Sequence, residues 1–372
     1  MTPLLTRIDQ ELSVCTDPLR EAELLAERAC YLARIGDFAE ATSIVASLRR
    51  VYGDGRNARI AVWLMLAEGI ILFFQSLDVR SRDRILRAYA ICAVLPIVDL
   101  KLLTASWLAH LEFNRMDFRA MKNMIQICLT DGLQEASAWR VRIRIILADA
   151  LMYARREVDA RFWYEKARQD AIALGDDATL GALIYNRAAL ALGNLKIDSI
   201  ESEIDPERAR LLAKEVASAS AYWKGAGQRA LGQLLMWCEA RILLVERRFS
   251  DAVLILKYLV KNDAPKTLQT GSQLLQIEYA LALYECRMIQ DAESVFSLID
   301  VGSYSEMNID DQIVFVSTYI NVGECLGCHE IVKPFVPLVE PLRKSYTQML
   351  RDLQLMLDEL DLMKPSPDHQ LS

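Results

Sequence analysis

The chain has 372 residues, of which 53% are hydrophobic, with 15 glycines, 10 prolines and a net charge of −7. This composition supplies a large apolar core, which excludes an intrinsically disordered chain, and its low glycine and proline content favours helix. Residues 1–168 carry 24 basic and 21 acidic side chains, whereas residues 169–372 carry 19 and 29. The acidic second half repels polyanions and argues against nucleic acid as a partner.

Targeting signals and cysteine positions indicate the cellular compartment in which the protein is expected to act. The first fifteen residues lack a basic start followed by an apolar core, so the sequence predicts no secretory signal. The longest apolar run, residues 60–74, is interrupted by Glu68 and is too short to cross a bilayer, so we expect no membrane insertion. Eight cysteines are scattered at positions that mostly suit helix interiors. They predict reduced, buried thiols in a cytoplasmic protein.

The first predicted elements are a leading helix in residues 1–18 and a helical hairpin that follows it. The first helix of this hairpin runs to Ile35, and Gly36 supplies its stop. Asp37 is placed to cap the second helix, which runs to about Val51. The two helices therefore meet at a tight turn.

This turn recurs along the chain. Its later copies follow steps of forty residues within each half of the chain, at 76–78, 116–118, 156–158, 247–249, 287–289 and 327–329. Small residues recur beside the turns, where the paired helices have to approach closely. These residues are Ala29, Gly69, Ala109, Ala148, Ala240 and Ala280 before the turn, and Ala41, Ala160, Ala252 and Ala292 after it. The pattern predicts an all-α fold, an α-solenoid of about eight antiparallel helix hairpins.

The units divide into two groups followed by a cap. Units one to five occupy residues 19–224, and units six to eight occupy residues 225–341. In unit five the spacing stretches, and we expect a helix over 179–192, a loop over 193–205 and a second helix opened by Pro206. A helix over 342–363 is predicted to cap the open end of the array, and the polar tail 364–372 is predicted to be disordered.

The best-formed unit resembles a known family. The residues that carry the likeness are Leu25, Ala29, Leu32, Gly36-Asp37-Phe38, Ala41, Val45 and Leu48. They are similar to the tetratricopeptide repeat, and the longer period resembles the helical-repeat domains of bacterial LuxR-type activators and quorum-peptide regulators. The resemblance implies a right-handed superhelix whose first helices line a concave groove that binds peptides or partner proteins.

Aligning the first helices on their small residues gives the positions that face this groove. The set is rich in aromatic residues and poor in charge, as in the centre of a protein interface. The same alignment places Arg142 on the inward face of unit four. The predicted peptide- or partner-binding residues are Trp63, Phe73, Phe74, His110, Phe113, Asn114, Asp149, Tyr153, Tyr185, Trp237 and Arg241.

Two interpretations of these residues stay open. They could bind a partner, or they could pack against the next hairpin and serve the core alone. The first interpretation predicts a non-enzymatic scaffold or sensor that binds a peptide or a partner-protein helix. The alternative is a regulatory protein that acts on transcription through a partner. Either could assemble as a homo-oligomer.

One short motif offers a third possibility, an enzyme or a haem or redox protein. Cys325-Leu326-Gly327-Cys328-His329 has the spacing of c-type haem attachment, but it falls on the predicted turn of the last unit. The sequence contains no Walker loop, no Gly-rich dinucleotide fingerprint, no GxSxG and no HExxH. We therefore expect no catalytic residues, no metal site and no cofactor.

Overall fold

The computed structural model describes residues 2–130, 137–262 and 271–360, with the backbone alone at residue 201. Over these ranges it contains α-helices, short 3₁₀ segments and no β-strand, which confirms the all-α fold class. The first nine helices are α1 (Pro3–Val14), α2 (Pro18–Ile35), α3 (Phe38–Tyr52), α4 (Ala58–Ser76), α5 (Arg80–Val94), α6 (Val98–Asn114), α7 (Phe118–Thr130), α8 (Ala138–Tyr153) and α9 (Glu157–Leu174). The next nine are α10 (Asp177–Glu201), α11 (Pro206–Gly225), α12 (Gly232–Val245), α13 (Phe249–Lys261), α14 (Ser272–Glu285), α15 (Ile289–Ser297), α16 (Ile309–Cys325), α17 (His329–Val332) and α18 (Val339–Asp358).

A left-handed backbone residue ends the first helix of most hairpins. Gly36 has φ +92°, and the carboxylate of Asp37 then accepts a hydrogen bond from the backbone N–H of Glu40. This conformation costs an L-residue about 1–2 kcal/mol, yet it recurs within one residue of each predicted turn. The recurrences are Leu77, Met116, Arg155, Arg247, Arg287 and Gly327. The structure therefore confirms helical hairpins that repeat at a period of about forty residues.

Small residues let the two helices of each hairpin approach. Ala41 and Ala29 have no exposed surface, and neither do the other predicted alanines on either side of the turns. At Gly69 a Cβ atom would lie 2.5 Å from Ile85 Cγ1 of α5. The first helices of successive hairpins, α2, α4, α6, α8, α10, α12, α14 and α16, pack against one another in series. Their inward faces therefore share one interior.

Unit five differs from its prediction. The predicted loop over 193–205 is wrong, because α10 continues through Gly193 to Glu201 and the connection is only four residues long. Leu192 and Leu195 are each 1% exposed, and Asn194 donates from Nδ2 to the Met152 carbonyl at 3.0 Å. This burial offsets the roughly 1 kcal/mol that a glycine costs inside a helix. Pro206 does open α11, as predicted.

Two contacts bring the first hairpin against units five and six. Arg34, at the end of α2, forms a two-bond ion pair with Asp176 before α10, at 2.9 and 3.0 Å. The backbone N–H of Arg229 donates to the Ile35 carbonyl at 2.8 Å. The array thus bends back on itself, so that its interior is bounded from several sides.

The last helix also returns to the middle of the chain. α18 packs on α16, and its far end reaches α7 and α8. Asp358 pairs with Arg156 at 2.6 Å, and Gln354 donates to the Ala154 carbonyl at 2.9 Å. The predicted cap therefore also joins the last unit to unit four. The end of the predicted cap and the predicted disordered tail lie outside the described residues.

α4 has properties of both a core helix and a membrane span. Its 19 residues are long and apolar enough, by length and composition, to cross a bilayer, so the helix is longer than the apolar run of residues 60–74 seen in the sequence. In the structure 56% of its most apolar window is buried by neighbouring helices. A core helix passes the same length and composition test, so the test is weak evidence for a membrane span.

Two substitutions in α3 test whether a small residue is required where α2 and α3 approach. Ala41 of α3 is fully buried, whereas Ala46 of the same helix is exposed. Ala41→Leu is expected to lower the free energy of unfolding by about 1–3 kcal/mol, because the added carbons would push α2 and α3 apart. The matched control Ala46→Leu should change it by less than about 0.5 kcal/mol. Urea unfolding measures both values, and equal effects would contradict the close approach.

Candidate binding cavity

Helices α4, α6, α8 and α10 surround a cavity of about 460 Å³. Its remaining walls come from Arg34 of α2, from residues 77–82 at the start of α5, from Arg115 after α6, from Trp223 of α11 and from the segment that leads into α12. A volume of this size lies within the range of small-ligand pockets in proteins. The cavity is therefore bounded by the inward faces of units two to five and by the contacts that fold the array back.

Seven of the eleven predicted binding residues line this cavity. They come from the first helices of four successive units. These seven are Phe73, Phe74, His110, Phe113, Asn114, Asp149 and Tyr185. Aligning the repeats on their small residues therefore placed most of the predicted set in one location.

Two of the other four predicted residues lie near the cavity but face elsewhere. Trp63 is 8% exposed and lines a separate cavity of about 170 Å³ together with Trp107. Tyr153 is covered by the returning α18, where its ring meets that of Tyr346 at 6.4 Å, and its other neighbours include Phe113 at 6.2 Å. The predicted groove position of Tyr153 is thus filled by the protein's own last helix.

Trp237 and Arg241 lie farther along the chain and bind a buried glutamate. Glu278 has no exposed surface and accepts hydrogen bonds from Trp237 Nε1 at 2.6 Å and from Arg241 Nε at 3.0 Å. Lys196 pairs with the same carboxylate. Burial alone would raise the pKa of Glu278, but Arg241 and Lys196 lower it below its ordinary value. Trp237 and Arg241 are therefore held by an internal network around Glu278. Aligning the repeats did not reveal this network, because Glu278 lies outside the predicted set.

The apolar part of the cavity wall is aromatic. The Phe73 ring lies 5.1 Å from that of Phe74 and 5.3 Å from that of His110, both in edge-to-face geometry. Such pairs each contribute about 0.5–1.5 kcal/mol beyond their buried area. Phe113 and Tyr185 add further ring surface from α6 and α10. The wall is thus partly fixed by ring packing before anything binds to it.

The cationic side chain of Arg142 lies in the wall without a counter-ion. It is 9% exposed, and its guanidinium carbon lies 3.3 Å from the centre of the Trp107 ring. Its Nε has no hydrogen-bond partner, and no ion pair joins it to any residue within 2–130, 137–262 or 271–360. Burial and the nearby Arg34 lower the pKa of the Arg142 guanidinium below its ordinary value. The aligned repeats placed this arginine on the inward face, but its lack of a partner is visible only in the structure.

Two more polar groups in the wall lack partners. The indole Nε1 of Trp223 and the Nδ1 of His110 are buried without a hydrogen bond among the described atoms. Burial, and after it the charge of Arg142, lowers the pKa of His110 to about 3, so its ring is neutral at physiological pH. Trp223 lies on a second helix, which the alignment of first helices did not include.

A fourth polar group of the wall is Asp149, which is 1% exposed and accepts one hydrogen bond at each carboxylate oxygen. Its Oδ1 accepts from the Tyr164 hydroxyl and its Oδ2 from Asn186 Nδ2, both at 2.7 Å. Burial raises the pKa of Asp149 to about 7, although both hydrogen bonds oppose the shift. This carboxyl group therefore changes its charge near neutral pH.

The cysteine motif forms the predicted turn. Gly327 has φ +75° between α16 and α17, with Cys325 exposed and Cys328 partly exposed. All eight cysteines are free thiols, and Cys30, Cys92, Cys128 and Cys238 are buried. No group of three or more potential metal-binding side chains occurs in the described part of the chain.

Comparisons with known proteins add no further evidence. No protein-family model matches the chain, and no curated protein matches it. The function has to be argued from the cavity.

The carboxyl group of Asp149 gives a pH-dependent stability. Because its pKa is about 7 in the folded chain and near 3.8 when unfolded, the folded state binds the extra proton between these values. The stabilisation is complete below about pH 4 and is lost as the pH rises through 7. Relative to Asp149→Asn, the wild type should therefore lose up to about 1.4 kcal/mol of unfolding free energy per pH unit in this window.

Urea unfolding of both proteins at intervals from pH 4 to pH 8 measures this difference. Asp310, whose pKa is also about 7 because of its burial, is present in both proteins, so its contribution cancels in the comparison. A difference that stays constant across the window would contradict the assignment to Asp149.

Proposed function

We propose that this protein is a non-enzymatic scaffold or sensor that binds a short peptide or a segment of a partner protein in the 460 Å³ cavity. The observation that supports this most directly is the convergence of aromatic residues from units two, three and five on one interior. Aromatic side chains and arginine dominate the energetics of protein interfaces, because they bury a large area at a low entropic cost. The proposal treats the array as a superhelix of the tetratricopeptide type.

The size of the cavity favours a short segment over a complete helix. A helix with its side chains is about 10–12 Å across, whereas the interior is bounded by the contacts of Arg34 and Arg229. A few anchor side chains, or the end of a chain, suit a volume in the small-ligand range better. We therefore propose that the bound segment enters the cavity through its side chains or its terminus.

A sensing role would follow from the position of the cavity. Its wall joins Arg34 of the first unit to helices of units two to five and to Leu234 of unit six. A ligand that contacts all of these elements would favour the arrangement in which they are close together. Binding would then stabilise the bent form of the array.

The choice of binding over catalysis rests on the polar groups of the wall. Nε of Arg142, Nε1 of Trp223 and Nδ1 of His110 have no hydrogen-bond partner among the described residues, and each carboxylate oxygen of Asp149 already accepts one hydrogen bond. These groups are suited to holding a ligand in a fixed orientation. Eight free cysteines agree with a protein that acts in the reducing cytoplasm.

Affinity capture with the full chain, followed by mass spectrometry, would supply a partner, and calorimetry would then measure its dissociation constant. Phe74→Ala, Phe113→Ala and Tyr185→Ala should each weaken binding about tenfold or more, because each removes an aromatic anchor from the wall. Tyr258→Ala is the matched control, since Tyr258 is 52% exposed on α13, outside the cavity. Affinities that are unchanged in all three cavity variants would contradict the proposal.

A further inference from the structure

The unpaired charge of Arg142 calls for an explanation. A guanidinium stays protonated in proteins, so the buried side chain carries a full positive charge. Leaving a buried charge without an anion is strongly unfavourable, and contact with an aromatic ring offsets only part of this cost. Arg142 has the ring of Trp107 beside it, but no anion among the described residues.

The carboxylates of Asp176 and Asp149 do not supply that anion. Both oxygens of Asp176 bind Arg34, and they also accept from the backbone N–H and the hydroxyl of Thr179. Asp149 lies on the same helix as Arg142, but its oxygens are taken by Tyr164 and Asn186. Neither carboxylate forms a hydrogen bond or an ion pair with Arg142.

Apart from Asp149, the other charged side chains of the cavity wall are already paired. Arg82 donates to Glu112 at 2.7 Å, Asp78 pairs with Arg80 at 2.6 Å, and Arg34 is neutralised by Asp176. Arg115 lies 3.9 Å from the same Glu112 carboxylate. One buried cation, Arg142, therefore remains, and it matches a ligand that carries one negative charge.

Two unpaired groups of the wall suit the same kind of ligand. The indole N–H of Trp223 can only donate a hydrogen bond, and Nδ1 of His110 donates in one of the two neutral tautomers. Together with Arg142 they offer three donors to an acceptor-rich group. A carboxylate has two oxygens and about four acceptor sites, and a guanidinium can bind it with two parallel hydrogen bonds.

We propose that the cavity binds a ligand made of one carboxylate and a compact apolar body, with the carboxylate paired to Arg142. The apolar body would lie against Phe74, Phe113 and Tyr185. This inference rests on the proposed function, because it names the chemistry of what the cavity holds. Two sources carry such chemistry, the free C-terminus of a peptide and a small carboxylic acid.

Paired probes that differ in one group test the proposal. Calorimetry with the full chain would compare a panel of short aromatic and aliphatic peptides as free acids and as C-terminal amides. A second panel would compare aryl- and alkyl-carboxylic acids, such as 3-phenylpropionate, with the corresponding amides. The acid of a pair should bind about ten to a hundred times more tightly than its amide, because only the acid neutralises Arg142.

Variants assign that preference to one side chain. Arg142→Met keeps an apolar stem of similar length, and it should reduce the acid-to-amide affinity ratio to about one. Arg161→Met is the control, since that arginine is 72% exposed on α9, and it should keep the ratio of the wild type. Without ligand, Arg142→Met should melt at the same temperature as the wild type or higher, because an uncompensated buried charge is lost. A lower melting temperature for Arg142→Met than for the wild type would contradict the inference that Arg142 has no anionic partner in the protein without ligand.

The outcomes separate this inference from the proposed function. If peptides bind more tightly as free acids than as amides, the result supports both the carboxylate inference and the proposed function. If small acids bind more tightly than their amides and no peptide binds, the result supports only the carboxylate inference. Peptides that bind equally as acids and as amides would overturn the inference and leave the proposed function standing. A lack of binding across both panels would contradict both.

Discussion

The close approach of paired helices at a small residue is the constraint on which the rest of this fold depends. Ala29 and Ala41 are fully buried where α2 and α3 meet, and their small side chains let the two helices approach closely. The same arrangement recurs in later hairpins. Because a left-handed residue ends the first helix of most hairpins, the first helices recur at about forty residues within each half of the chain and pack in series. Aromatic residues on the inward faces of units two, three and five are thereby brought to one interior.

That interior is bounded by contacts that are distant in sequence. The ion pair between Arg34 and Asp176 and the bond from Arg229 to Ile35 hold the first hairpin against units five and six. α18 closes the opposite side, where Tyr346 covers Tyr153. Most aromatic and charged side chains of the wall contact other rings or form ion pairs, whereas Arg142 has no ion-pair partner among the described residues. A cavity whose remaining polar groups are donors is suited to an acceptor-rich ligand.

Sequence reasoning reached the helical hairpins, their turns and seven residues of the cavity wall, because these follow from local periodicity and small side chains. It was wrong about residues 193–205, since Gly193 and Asn194 are typical of a loop and only tertiary burial keeps them helical. It also placed Trp237 and Arg241 in a groove, although a buried Glu278 binds both. Three features depend on contacts between distant segments, which no repeat pattern specifies. They are the packing of α18 against the middle of the chain, the position of Trp223 in the cavity wall, and the lack of an ion-pair partner for Arg142 among the described residues.

The central claim is that the inward faces of units two to five bind the ligand. Hydrogen-exchange mass spectrometry of the full chain, with and without a captured peptide or carboxylic acid at saturating concentration, tests it most directly. The account predicts slower exchange in the inner segments of α4, α6, α8 and α10, which carry Phe74, Phe113, Asp149 and Tyr185. It predicts little change in α3 and α13. Protection confined to those outer helices, with none around the cavity, would contradict the account.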